Sequence, residues 1–122
     1  MTSETKKYDL EERLISFWLL DMEIVEQISG TKAGNHIAGQ LLRSGTSPAF
    51  NYGEAQVAES RSDFIHKMKI CLKELKETGI ALQIVKRKPL VKDSTKVDVA
   101  IGECRQLVSI FVKSIETAKK NK

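Results

Sequence analysis

Seven residues, Phe64, Met68, Cys71, Leu75, Thr78, Leu82 and Val85, recur at alternating steps of four and three without a break. Such a row keeps one face of an α-helix turned toward its neighbours for about six turns. It makes no sense as a strand, where the two faces alternate residue by residue. Ser60, with Asp63 three positions on, marks the start as a capping box with Asp in place of the usual Glu. Lys86-Arg87-Lys88 followed by Pro89 marks the end, with cations at the negative end of the helix dipole. A helix this long with one continuous seam needs other helices to cover it.

The rest of the chain supplies them. A first helix is expected from near Asp9, as N-cap, to Ser29-Gly30. Its apolar rows are Leu14, Trp18, Met22, Val25, Ile28 and Leu10, Phe17, Leu20, Ile24, which leaves Glu11, Glu12, Glu23 and Glu26 for solvent. A second begins between Ala33 and His36 and runs to about Ala58, opening its apolar face with Ile37, Ala38, Leu41 and Leu42. Pro48 inside it removes an N–H and crowds the carbonyl of Ser44. One kinked helix is preferred over two short ones, because the periodicity resumes without a cluster of turn residues. A fourth follows Asp93 or Ser94 with the face Val97, Ala100, Ile101, Cys104, Leu107, Val108, Phe111, Ile115 and a basic tail, Lys119-Lys120-Asn121-Lys122. Short connections favour antiparallel neighbours, so the expected fold is all-α: one domain, residues 1–122, an antiparallel up-down-up-down four-helix bundle with a kinked second helix.

Composition narrows the function. With 122 residues, 41% hydrophobic and 30% charged, the chain has enough apolar material for its own core and no run near the roughly 18 residues a membrane helix needs. Met1 to Lys7 is polar and charged, unlike a secretory signal, and only Cys71 and Cys104 are present, far apart in sequence. A reducing cytoplasm is therefore expected. No Glu-x-x-His pair, Gly-x-Ser-x-Gly elbow or phosphate-binding glycine loop occurs. The expectation is no enzyme, no metal, no cofactor and no small-molecule substrate.

Polar and small residues stand where a plain bundle would place Leu and Ile. Arg43, Ser44, Thr46, Ser47, Asn51 and Glu54 form a stripe on the second helix beside Gly45, Ala49 and Gly53. With Ser60, Asp63, Glu74 and Glu77 they make a candidate polar layer, structural or between subunits. The hydroxyls of Ser44 and Ser47 are expected to satisfy backbone groups freed by Pro48. Asn51 and Glu54 are expected to serve hydrogen bonding and not catalysis.

Charge and surplus apolarity suggest partners. The net charge is +4. One end of an up-down bundle would gather Lys32, Lys86, Arg87, Lys88, Lys92 and Lys96, and the other Lys6, Lys7, Arg61, Lys119, Lys120 and Lys122. Lys32, Lys86, Arg87, Lys88, Lys92, Lys119 and Lys120 are the candidate nucleic-acid contacts; the alternative is a solvated surface with dipole-matched helix ends. Off the seams lie Ile65, Ile70, Leu72, Ile80, Ile84, Val99, Ile110 and Val112, more than one core uses, which points to self-association or else to a thick core.

The stretch from Arg43 to Thr78 resembles the bacterial four helix bundle protein family, also called 23S ribosomal RNA intervening-sequence proteins. The likeness rests on Arg43-Ser44-Gly45-Thr46-Ser47, Asn51 and Glu54-Ala55, then Ala58, Ser60, Asp63-Phe64-Ile65, then Lys73-Glu74 and Glu77-Thr78. It departs after Thr78, where family members often carry an aromatic residue and this chain has Gly79-Ile80-Ala81. The resemblance implies an up-down bundle that often assembles as a homopentamer. It is also similar in fold to a basic accessory protein of diversity-generating retroelements that works with RNA. The expected function is a non-enzymatic, oligomeric bundle binding RNA or a ribonucleoprotein through basic ends, or alternatively a scaffold that binds protein only.

Overall fold

The computed structural model describes residues 3–121, and side chains from Leu10 onward. It contains α1 (Ser3–Gln27), α2 (Lys32–Gln56), α3 (Arg61–Arg87) and α4 (Thr95–Lys120), with no strand among the described residues. Each helix packs against the next, α1 closes against α4, and the backbones of the diagonal pairs stay apart, so that only side chains meet across the middle. This is the antiparallel four-helix bundle expected. Packing is densest between α2 and α3 and between α3 and α4, and thinnest between α1 and α4.

Local chemistry explains the boundaries. Ser60 caps α3, its hydroxyl accepting from the Asp63 N–H at 3.0 Å. Thr31 does the same for α2, accepting from the Gly34 N–H at 3.0 Å. Asp93 accepts from both the N–H and the hydroxyl of Thr95, at 3.0 and 2.6 Å, and these bonds hold its carboxyl below the usual range. The start of α1 differs from expectation: the helix already runs through Asp9, because no Gly or Pro interrupts the polar lead from Ser3. Pro48 lies inside an unbroken α2.

The α3 seam is buried as its spacing predicts, apart from half-buried Phe64. On α4, Val97, Ala100, Ile101, Cys104, Leu107, Phe111 and Ile115 are buried and Val108 half-buried. Phe111 meets Tyr52 of α2 edge-on, ring centres 6.0 Å apart. Leu90 and Val91 fold in from the α3–α4 connection and plug one end, tied to the α1–α2 turn by the Ser29 N–H donating to the Leu90 carbonyl at 3.0 Å.

On α1 the inward row is neither of the two expected. The buried residues are Leu14, Phe17, Asp21 and Ile24, spaced by three, four and three; Trp18 is half-buried and Met22 exposed. The expected rows crossed this line because they skipped its one carboxylate.

Candidate functional site

Small or polar groups from all four helices gather in mid-bundle. On α2, Ser44 is fully buried, and its hydroxyl donates to the Gln40 carbonyl at 3.0 Å, one turn back. Facing it on α3 is buried Thr78, whose hydroxyl lies 3.0 Å from the Ser44 oxygen and 2.8 Å from the Glu74 carbonyl. From α4, the Cys104 thiol donates to the Leu75 carbonyl at 3.1 Å. On α1, Asp21 lies against Gly45: a Cβ there would stand 2.7 Å from a carboxylate oxygen. Two parts of the signature, Ser44-Gly45 on α2 and Thr78 on α3, thus meet inside the bundle.

Asp21 is the anomaly. It is 0% exposed and neither carboxyl oxygen has a hydrogen-bond partner. Burial pushes its carboxyl up from 3.8 to about 8, because a charge there has lost its water and gained no donor. A signal did exist in the sequence: Asp21 occupies a seam position between Phe17 and Ile24.

The other expected layer residues do plainer work. Thr46 donates to the Leu42 carbonyl. Asn51 donates to both the carbonyl and the hydroxyl of Ser47, at 3.0 and 2.8 Å. Arg43 is exposed and bonds Gln40 on its own helix. Glu54 pairs with Lys67 across the α2–α3 seam at 2.7 Å on the surface. Neither serine bonds the carbonyl that Pro48 frees; the Ser44 proton goes to Gln40, which corrects that expectation. Glu74 and Glu77 are half-buried, and burial, then the charge of Glu77, raises the Glu74 carboxyl. Ser60 and Asp63 belong to the cap of α3.

Cys71 and Cys104 are free and buried, and burial pushes each thiol to about 12. They are thiols near neutrality and poor nucleophiles. No three His, Cys, Asp or Glu side chains cluster as metal ligands among the described residues.

The basic residues divide between the two ends. Lys32, Lys86, Arg87, Lys88 and Lys92 are all exposed near the end closed by Leu90. There Lys86 pairs with Asp98 at 2.7 Å and Lys96 with Glu23 at 3.3 Å. At the other end, Arg61, Ser62, Ile65, His66 and Lys69 of early α3 meet Ala118 and Lys119 of late α4 around a hollow of about 500 Å³. No carboxylate lines it, and Arg61, Lys69 and Lys119 make no ion pair among the described residues. Lys120 is exposed beside Lys119. Lys122 and the side chains of Lys6 and Lys7 lie outside the described residues.

The bundle also carries apolar surface on opposite sides. Between α3 and α4 a groove of about 540 Å³ is lined by Leu75, Gly79, Ile80, Ile101, Cys104 and Val108, with Lys76 and Arg105 among its polar lining. Gly79 and Ile80 both line it, and Ile80 is 64% exposed. On the α1–α2 side, Phe50 is 61% exposed and leans on Trp18, ring centres 5.7 Å apart; Leu19 and Met22 of α1 and Leu42 of α2 are exposed as well. No described helix is long and apolar enough to cross a membrane.

Among solved structures, the chain is similar to a protein of unknown function from the S23 ribosomal protein family of Bacteroides thetaiotaomicron VPI-5482. The likeness has a TM-score of 0.80 and 25% identity, over 91% of this chain and 98% of that one. The family resemblance drawn from the α2–α3 signature is thus matched in three dimensions. No protein-family model and no curated protein matches the chain.

Proposed function

We propose that this protein is a non-enzymatic, self-associating bundle that contacts the phosphates of RNA, alone or in a ribonucleoprotein, through its basic ends. The carrying observation is the hollow between early α3 and late α4, where Arg61, His66, Lys69 and Lys119 converge with no carboxylate among them. A phosphate there would meet cations that make no ion pair among the described residues, beside the positive end of the α3 dipole. The opposite end contributes Lys32, Arg87, Lys88 and Lys92. Lys86 adds less while it holds Asp98. Self-association, with the pentamer that the family resemblance implies, is supported by the exposed apolar surface on the α1–α2 and α3–α4 faces. A ring would multiply each weak basic patch. Two free thiols suit a reducing cytoplasm.

The α3–α4 groove also favours a second reading, a scaffold that binds protein alone. Light scattering gives the subunit number, and anisotropy of a labelled stem-loop RNA across a salt series separates the two readings. Phosphate binding predicts that affinity falls steeply with salt. It also predicts that reversing Arg61, Lys69 and Lys119 to Glu weakens binding while mass and helicity stay unchanged. An assembly that ignores the RNA at every salt concentration leaves the scaffold standing, and a monomer overturns self-association in both.

A further inference from the structure

We propose that Asp21 is a proton-operated latch on α1: the bundle closes over a neutral carboxyl, and ionisation of that carboxyl releases α1 from α2 and α4.

The geometry comes first. Asp21 sits mid-seam with both oxygens unpartnered and no exposed surface. Gly45 makes room for it, and any larger residue there would meet the carboxyl. The nearby protons are spent elsewhere. Ser44 donates to Gln40, Thr78 is divided between Ser44 and Glu74, and Cys104 donates to Leu75. A carboxylate, which can only accept, finds no donor in this layer.

Charges do not help it either. The helices packed on α1 are α2 and α4. Toward Asp21, α2 presents Gly45, flanked by Ser44, neither of which titrates; Arg43 on that helix is exposed and engaged with Gln40. From α4 the titratable neighbour is the Cys104 thiol, which stays neutral. Beside it, Glu103 is held by Arg13 and Arg105 is exposed. On α1 itself the seam neighbours Phe17 and Ile24 are apolar. Burial alone sets the carboxyl near 8, against 3.8 when free.

Among the described residues α1 is also the most sparsely packed helix of the four, so it is the element whose release disturbs the fewest of the described contacts. Closing α1 takes up one proton whenever pH lies between the two values. The closed-to-open ratio therefore falls about tenfold for each pH unit across that window, and is level below and above it.

Hydrogen exchange on the intact chain, corrected for intrinsic rates, tests this between pH 5.5 and 7.5. Protection of α1 should fall about a hundredfold over those two units and lie below that of α3 throughout, since α3 exchanges only on global unfolding and α1 already on release. In Asp21→Asn, isosteric and neutral at every pH, the α1 protection should be flat. Equal protection in all four helices at every pH would overturn the latch, since α1 would then open only with the whole bundle. A slope that persists in Asp21→Asn would overturn it too. Carbon-13 NMR of the Asp21 carboxyl in the unaltered protein gives an answer that does not depend on the variant folding. Titration near 8 supports the latch, and titration near 4 overturns it.

Discussion

Helices α1 and α3 run in the same direction at opposite corners of the bundle, and each places one polar residue in the middle of its seam. On α3 it is Thr78, and on α1 it is Asp21. Both are fully buried, yet their positions are not equivalent. A threonine hydroxyl carries a proton and can return it to the carbonyl one turn back, as Thr78 does to Glu74. It can also meet a second hydroxyl, as it does with Ser44. An ionised carboxyl has only acceptors, and mid-helix N–H groups are already committed to the helix. What matters for a polar group in a helical seam is whether its own helix can satisfy it.

Three substitutions, one of them with a control, put that comparison at risk. The largest effect belongs to Asp21→Asn. Its folded-state value of about 8 lies above the ordinary 3.8, so burial of the neutral acid is tolerated below about pH 4 and stability is lost as pH rises toward 8. The variant should melt well above the original protein at pH 8, by on the order of 5 kcal/mol, and the gap should close near pH 4. Parallel melting curves at both pH values would place the carboxyl in contact with donors after all.

Gly45→Ala comes next. Its Cβ would press on the Asp21 carboxyl, and a cost of about 1–3 kcal/mol should outweigh the gain in helix propensity. Gly39 on the same helix has open space around it, and Gly39→Ala should stabilise by about 0.5–1 kcal/mol. Denaturant midpoints that move the same way in both variants would remove Gly45 from the Asp21 contact.

The smallest loss is that of Thr78→Val. Ser44 keeps its bond to Gln40, so the loss should be about 1 kcal/mol, with no dependence on pH. A larger, pH-dependent loss in urea titrations would mean that Thr78 supports Asp21 directly.

Much of this architecture is legible in the residues because its causes are local. The four-three spacing of Phe64 to Val85, the Ser60–Asp63 cap and the short connections each act within a turn or two, and each reappears in the bundle. Lys86 and Lys119 could be assigned to opposite ends by the same logic. Ser44 stands out in the sequence as a polar residue on an apolar face, but its bond to Thr78 spans 34 residues and belongs to no local pattern.

The residues alone determine four helices, their order and most inward faces, since helical periodicity sorts apolar from polar within each segment. Only the tertiary structure decides that Asp21 faces Gly45, that Ile80 stays outside, and that Arg61, Lys69 and Lys119 share one hollow. Burial and convergence depend on which helix covers which, and that is set by the summed packing of the whole bundle.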